Sequence, residues 1–148
     1  MHSFELLLID LGRNGGINMQ NKTYWFSVIA AFVAMGVVAA GLSVVAAEQL
    51  ASIMPISRGE EMLFEWQMAG YLTITLIFCY IYIKGRESGQ WQEGAKYGAI
   101  FGVMMGGVSM LNYSILPIEM SAMVADMIIN IVVYTVGGIV TAVIYKPS

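Results

Sequence analysis

The chain has 148 residues, 58% of them hydrophobic and 11% charged, with seven basic residues against ten acidic ones and a net charge of -3. Soluble domains of this size carry charge on about 25% of their residues, so the composition excludes one and leaves room for a single membrane domain. The scattered cations form no basic patch, which argues against a nucleic-acid partner, and the lone Cys79 excludes an internal disulfide.

Residues 1–18 read differently from the rest, as a short apolar run followed by Gly-Arg-Asn-Gly-Gly-Ile-Asn. Gly15 and Gly16 are what a translated GGAGG-type ribosome-binding site would encode just upstream of Met19. The expectation is therefore a leader of no structural role, with Met19 as the start of a domain spanning 19–148. The alternative is an amphipathic arm that lies on the membrane through Phe4, Leu7, Leu8 and Leu11. His2, the one histidine, belongs to this segment and carries no functional weight.

Four apolar stretches follow, at about 24–47, 64–83, 94–116 and 120–145. Each has the roughly twenty residues that match a hydrocarbon core about 30 Å thick. The first is lined with small residues, Ala30, Ala34, Gly36, Ala40 and Gly41 among them. Val45-Ala46-Ala47 resembles a signal-peptide cleavage site, but the apolar run before it exceeds the usual core of such peptides. In the joint from Glu48 to Glu65, Pro55 stops one helix, and Ser57 with Glu60 makes a capping box for the next.

The second stretch places Gln67, Tyr71, Thr75 and Tyr82 along one face and buries Cys79 as a small hydrophobe. The joint from Lys84 to Gly94 offers glycines for turns, charges of both signs and Trp91 for the interface. Arg86, Trp91 and Glu93 are candidates for a docking site there. The competing reading is an interfacial turn stapled by Arg86 with Glu93 or Glu87.

The third stretch carries the strongest signal, a glycine every fourth residue at Gly94, Gly98, Gly102 and Gly106. Such a ladder strips one helix face bare so that another helix can approach closely. With Gly36 and Ala40 of the first stretch, these are the expected helix-packing residues, either within one chain or between copies as a glycine zipper. Pro117 then breaks the chain, and Glu119 opens the fourth helix near the positive end of its dipole.

Along that fourth helix, Asp126, Asn130, Tyr134, Gly137, Thr141 and Tyr145 recur at steps of three or four residues. An ionisable group in hydrocarbon is costly unless paired or hydrated, which makes Asp126 the leading functional candidate. Asn112, Asn130 and Gln67 are its expected neighbours in an outward-facing polar pocket. The alternative is a plain interhelical hydrogen-bond clamp, with Asp126 about two turns below the helix start. Methionines 104, 105, 110, 120, 123 and 127 suit flexible packing. No catalytic triad, cofactor-binding loop or metal-ligand spacing is present, so the expected class is non-enzymatic, with no cofactor and no metal.

Lys22, Lys84, Arg86, Lys96 and Lys146 collect at one side of the membrane, against Arg58 among Glu48, Glu60, Glu61, Glu65 and Glu119 at the other. The positive-inside rule then puts both termini in the cytoplasm. Gly36 to Ser43 also rhymes with Gly102 to Ser109, and Ile81-Tyr82-Ile83-Lys84 with Val143-Ile144-Tyr145-Lys146. That suggests two parallel helix-hairpin repeats.

Gly85-Arg86-Glu87, Glu93-Gly94-Ala95-Lys96-Tyr97-Gly98, the glycine-rich helix and Asn112-Tyr113 before Pro117 resemble small bacterial four-helix membrane proteins of uncharacterised function, over about residues 80–118. The resemblance implies a bacterial inner membrane and no particular activity. The expectation is an all-α polytopic four-helix bundle in contact with membrane lipid. It would serve as a scaffold or accessory subunit that associates with itself or another membrane protein through small-residue faces. The alternative is a small transporter or channel built on Asp126 and Asn130.

Overall fold

The computed structural model describes residues 22–57 and 63–145. The leader segment 1–18, Met19, Arg58, Glu60, Glu61 and Lys146, together with the expectations attached to them, lie outside the described residues. Among the described residues five α-helices follow in order: α1 Lys22–Val45, α2 Ala47–Leu50, α3 Phe64–Gly85, α4 Trp91–Ile115 and α5 Met120–Ile144, with a 3-10 segment, Ala51–Ile56, after α2. Helices α1, α3, α4 and α5 have 22 to 25 residues and are apolar enough to cross a bilayer. This is an all-α, multi-pass membrane protein.

Several boundaries shift by one to three residues from the sequence expectation, two of them for a clear local reason. The first helix ends at Val45 because Ala46 leaves helical geometry, at φ -94° and ψ 19°, and the chain turns into α2. The third span begins at Trp91 instead of Gly94, since Gln90 adopts an extended N-cap conformation and Glu93 folds back onto the joint.

Helix α5 is the centre of the bundle. It runs along α4 for most of its length and takes α1 on another face, while α3 touches α1, α4 and α5 more sparsely. The α4–α5 seam is built from the ladder: Gly94, Gly98, Gly102 and Gly106 are all buried. A Cβ at Gly102 would lie 2.6 Å from Ile131 Cα, and one at Gly94 or Gly98 would collide with the carbonyl of Gly138 or Tyr134. The contact is reciprocal at Gly138, whose own Cβ would strike the Gly94 carbonyl. The adjacent Gly137 receives Met35 of α1, so two neighbouring glycines let α5 accept one helix on each side. In a bilayer, where lipid is as apolar as leucine, such close backbone approach is a main source of helix association.

The rhyme between the two hairpins does not extend to their packing. Gly94 to Gly106 close against α5, but Gly36 and Gly41 of α1 have nothing within 4 Å of a would-be Cβ.

Below the seam's midpoint an aromatic cluster occupies the bundle axis. Phe78 is fully buried, with ring centroids 5.1 Å from Tyr97, 5.0 Å from Phe101 and 5.6 Å from Tyr134. Offset and edge-on contacts of this kind add about 0.5–1.5 kcal/mol per pair beyond simple burial. Tyr24 and Tyr97 donate to the backbone carbonyls of Leu76 and Phe78, at 3.5 and 3.3 Å, and so tie α3 to α1 and α4. Cys79 is buried 3.5 Å from the Thr141 hydroxyl.

Candidate polar pocket and joint

The polar site grows from the end of the α4–α5 seam nearest Pro117. Asn130 lies one turn beyond Asp126 on α5, and its amide donates to the Asp126 carbonyl at 2.9 Å and to Oδ2 at 3.3 Å. From α4, the buried Ser109 hydroxyl donates to the same Oδ2 at 2.5 Å. Gly106, one turn before Ser109 and facing Met127, keeps the helices close enough for this bond. Two donors from two helices therefore hold the carboxylate in one orientation, and Oδ1 accepts no hydrogen bond from the described residues.

Asp126, Ser109 and Asn112 line a cavity of about 240 Å³ whose remaining walls are apolar: Ile53, Ile56, Leu116, Ile118, Ala122 and Met123. Ile53 and Ile56 come from the 3-10 segment, which Glu119 N secures by donating to Ser52 Oγ at 3.1 Å. Among the described residues, Asp126 is the one acidic residue in the lining. Among the described residues, no group of three or more His, Cys, Asp or Glu is placed to hold a metal ion.

Three of the four expected pocket residues are brought together, Asp126 and Asn112 in the cavity lining and Asn130 as a hydrogen-bond partner of Asp126. Gln67 is not. It lines a separate cleft of about 340 Å³ between α1 and α3, with Tyr71, Gly36, Ala39, Ala40 and Ser43. Sequence reasoning missed Ser109 as a partner of Asp126, although its place three residues past Gly106 puts it on the ladder's own face. It also missed Ile53 and Ile56, for which no local pattern gives a signal. A third cleft, about 700 Å³ between the end of α1 and the start of α5, is lined almost wholly by aliphatic side chains such as Leu42, Val124 and Ile128.

At the opposite end, the joint between α3 and α4 is clamped by Glu93. Its carboxylate accepts from the backbone amides of Glu87 at 2.5 Å, Ser88 at 3.0 Å and Gly89 at 2.7 Å, and from the Ser88 hydroxyl at 2.8 Å. Gly89 makes the fold-back possible, with φ at 65°. Arg86 bonds elsewhere: Nη1 donates to the Tyr145 carbonyl at 2.5 Å, and the guanidinium lies 4.5 Å from the Tyr145 ring centroid. The staple thus forms between Glu93 and backbone, while Arg86 caps the end of α5 and favours the negative pole of its dipole. Trp91 stays exposed. Glu93→Ala should cost about 1–2 kcal/mol, in the range of a lost helix cap, and should raise amide exchange at residues 87–89 while leaving the α4–α5 seam protected. Unchanged exchange in the joint would show that the clamp is not needed.

The chain matches no family model, no curated protein and no solved structure.

Proposed function

We propose that this protein is a small non-enzymatic membrane transporter whose solute site is the pocket at Asp126, seated in a bacterial inner membrane with both termini cytoplasmic. The observation that carries the reading is the convergence of Asp126, Ser109 and Asn112 on one cavity about two turns below the start of α5, with Asn130 bonded to Asp126. Intramembrane carboxylates are expensive and, where they face a cavity, belong to solute and ion pathways. Lys22, Lys84, Arg86 and Lys96 sit at the far end of the bundle, which supports an outward-facing pocket. Beyond the pocket, Tyr134 and Phe101 stack 4.9 Å apart and continue into the ring cluster around Phe78. That arrangement fits a binding site open on one side and plugged on the other, as alternating access needs, better than a standing channel.

Scaffolding through the glycine ladder has less support, because α5 of the same chain occupies it. A second reading keeps association but moves it: Gly36 and Ala40 line the open α1–α3 cleft, where a helix from a second copy or another membrane protein would fit. Cysteine labelling tests both. In a Cys79→Ala background, Asn112→Cys should react with a membrane-impermeant thiol reagent added from outside, while Phe101→Cys should not. Failure of Asn112→Cys to label from either side would remove the pocket as a solute site. Oxidative cross-linking of Ala40→Cys between chains would instead support the association reading.

A further inference from the structure

We infer that the Asp126 pocket takes a small alkylammonium ion, a primary or secondary amine with a short apolar body. The inference rests on the reading of this cavity as a solute site and adds the class of solute. Charge comes first. Among the described residues the lining holds one carboxylate and no cationic side chain, so none of them supplies a complement to Asp126. Ser109 and Asn130 both donate to Oδ2, and no described residue donates to Oδ1, where a donor brought by the ligand would bind.

The rest of the lining decides what kind of cation. An inorganic ion such as calcium wants six to eight oxygen ligands, and the described residues of this cavity offer Asp126, Asn112 and an Oγ already committed to Asp126. Its other walls are aliphatic or thioether, suited to a hydrocarbon tail. Quaternary ammonium ions are held by aromatic faces, and among the described residues no aromatic one lines the cavity. An N–H-bearing ammonium fits better, with one charge-assisted bond to Asp126 Oδ1 and a second available to the Asn112 side-chain carbonyl. A cavity of about 240 Å³ equals roughly eight water volumes at ~30 Å³ each. That limits the ligand to on the order of ten non-hydrogen atoms. The 3-10 segment supplies the outer wall through Ile53 and Ile56.

The probe is hexylammonium, titrated calorimetrically into the full chain in lipid nanodiscs with empty nanodiscs subtracted. Saturable binding is expected, weakened about thirtyfold or more by Asp126→Asn, the usual consequence of removing one member of a buried charge pair. Glu48→Gln, an exposed acid outside the pocket, should leave it unchanged. Should Asp126→Asn not fold, Ile56→Trp fills the cavity from the exposed 3-10 segment and should abolish binding without touching a helix seam. Equal binding of hexanol or of hexyltrimethylammonium, binding of sodium alone, or insensitivity to both variants would overturn the inference. So would binding seen only after Arg58→Gln, which would make the chain's own arginine the natural partner of Asp126. If Asn112→Cys labels from outside while hexylammonium does not bind, the solute class falls and the pocket stands; if neither occurs, both fall.

Discussion

Gly98→Leu should prevent the chain from folding, where a lateral-assembly face would predict a folded protein that has merely lost its partners. A Cβ at Gly98 would collide with the Tyr134 carbonyl and lie 2.8 Å from Thr135 Cα. Both obstacles are backbone of a helix packed over most of its length, so no rotamer change relieves them. Overpacking a tight core costs about 1–3 kcal/mol when side chains can adjust. Against fixed backbone, the upper end of that range or more is expected, a large part of the stability of a small domain. The measurement is the folded fraction recovered from membranes and its thermal unfolding in detergent, with Gly36→Leu as the matched control. Gly36 has nothing within 4 Å of a Cβ, so its substitution should change stability by less than about 0.5 kcal/mol. Equal stability of the two variants would show that the α4–α5 seam is not the spine of the bundle.

Phe78→Ala should act on both stability and permeability. The side chain is fully buried and touches three other rings. In a water-soluble core the change would cost about 3–5 kcal/mol. Within a bilayer the unfolded reference is lipid, so the transfer part of that cost shrinks. What remains is the lost ring contacts and the cavity, about 2 kcal/mol by the usual worth of such pairs. The vacated volume lies on the bundle axis beyond the Asp126 pocket, so vesicles carrying the variant should leak small cations faster than those with the native chain. Ile77→Ala, on the lipid side at 51% exposure, should do neither. Lower stability without a leak would mean that the ring cluster is a structural core and not the closed side of a solute path.

The four spans and the break at Pro117 were legible because the signals are local, whereas Pro55, expected to stop the first helix, lies inside the 3-10 segment and the helix ends earlier, at Val45. An apolar run has a length, and a proline removes a backbone donor wherever the chain later goes. The same holds for the polar face of α5, since Asp126 and Asn130 are neighbours by helical periodicity alone. Gln67 shows where that reasoning stops. Periodicity put it on one face with Tyr71, and the two do share a cleft. How α3 is rotated toward its neighbours is set by packing, and that rotation leaves Gln67 away from Asp126.

The ladder makes the same division. Its spacing by itself established that something must approach α4 closely, as bare backbone does on any helix. Only the tertiary structure decided that the visitor is α5, because recognition needed a second bare surface at Gly138 and a carbonyl row at the matching height. The apparent repeat went the other way for the same reason: α1 carries a similar small face, yet no helix meets Gly36 or Gly41. Class, span number and the polar face of α5 are thus properties of the amino-acid sequence. The pocket, which joins Ser109, Asp126 and the 3-10 segment across three separate stretches of chain, exists only once the helices have chosen their partners.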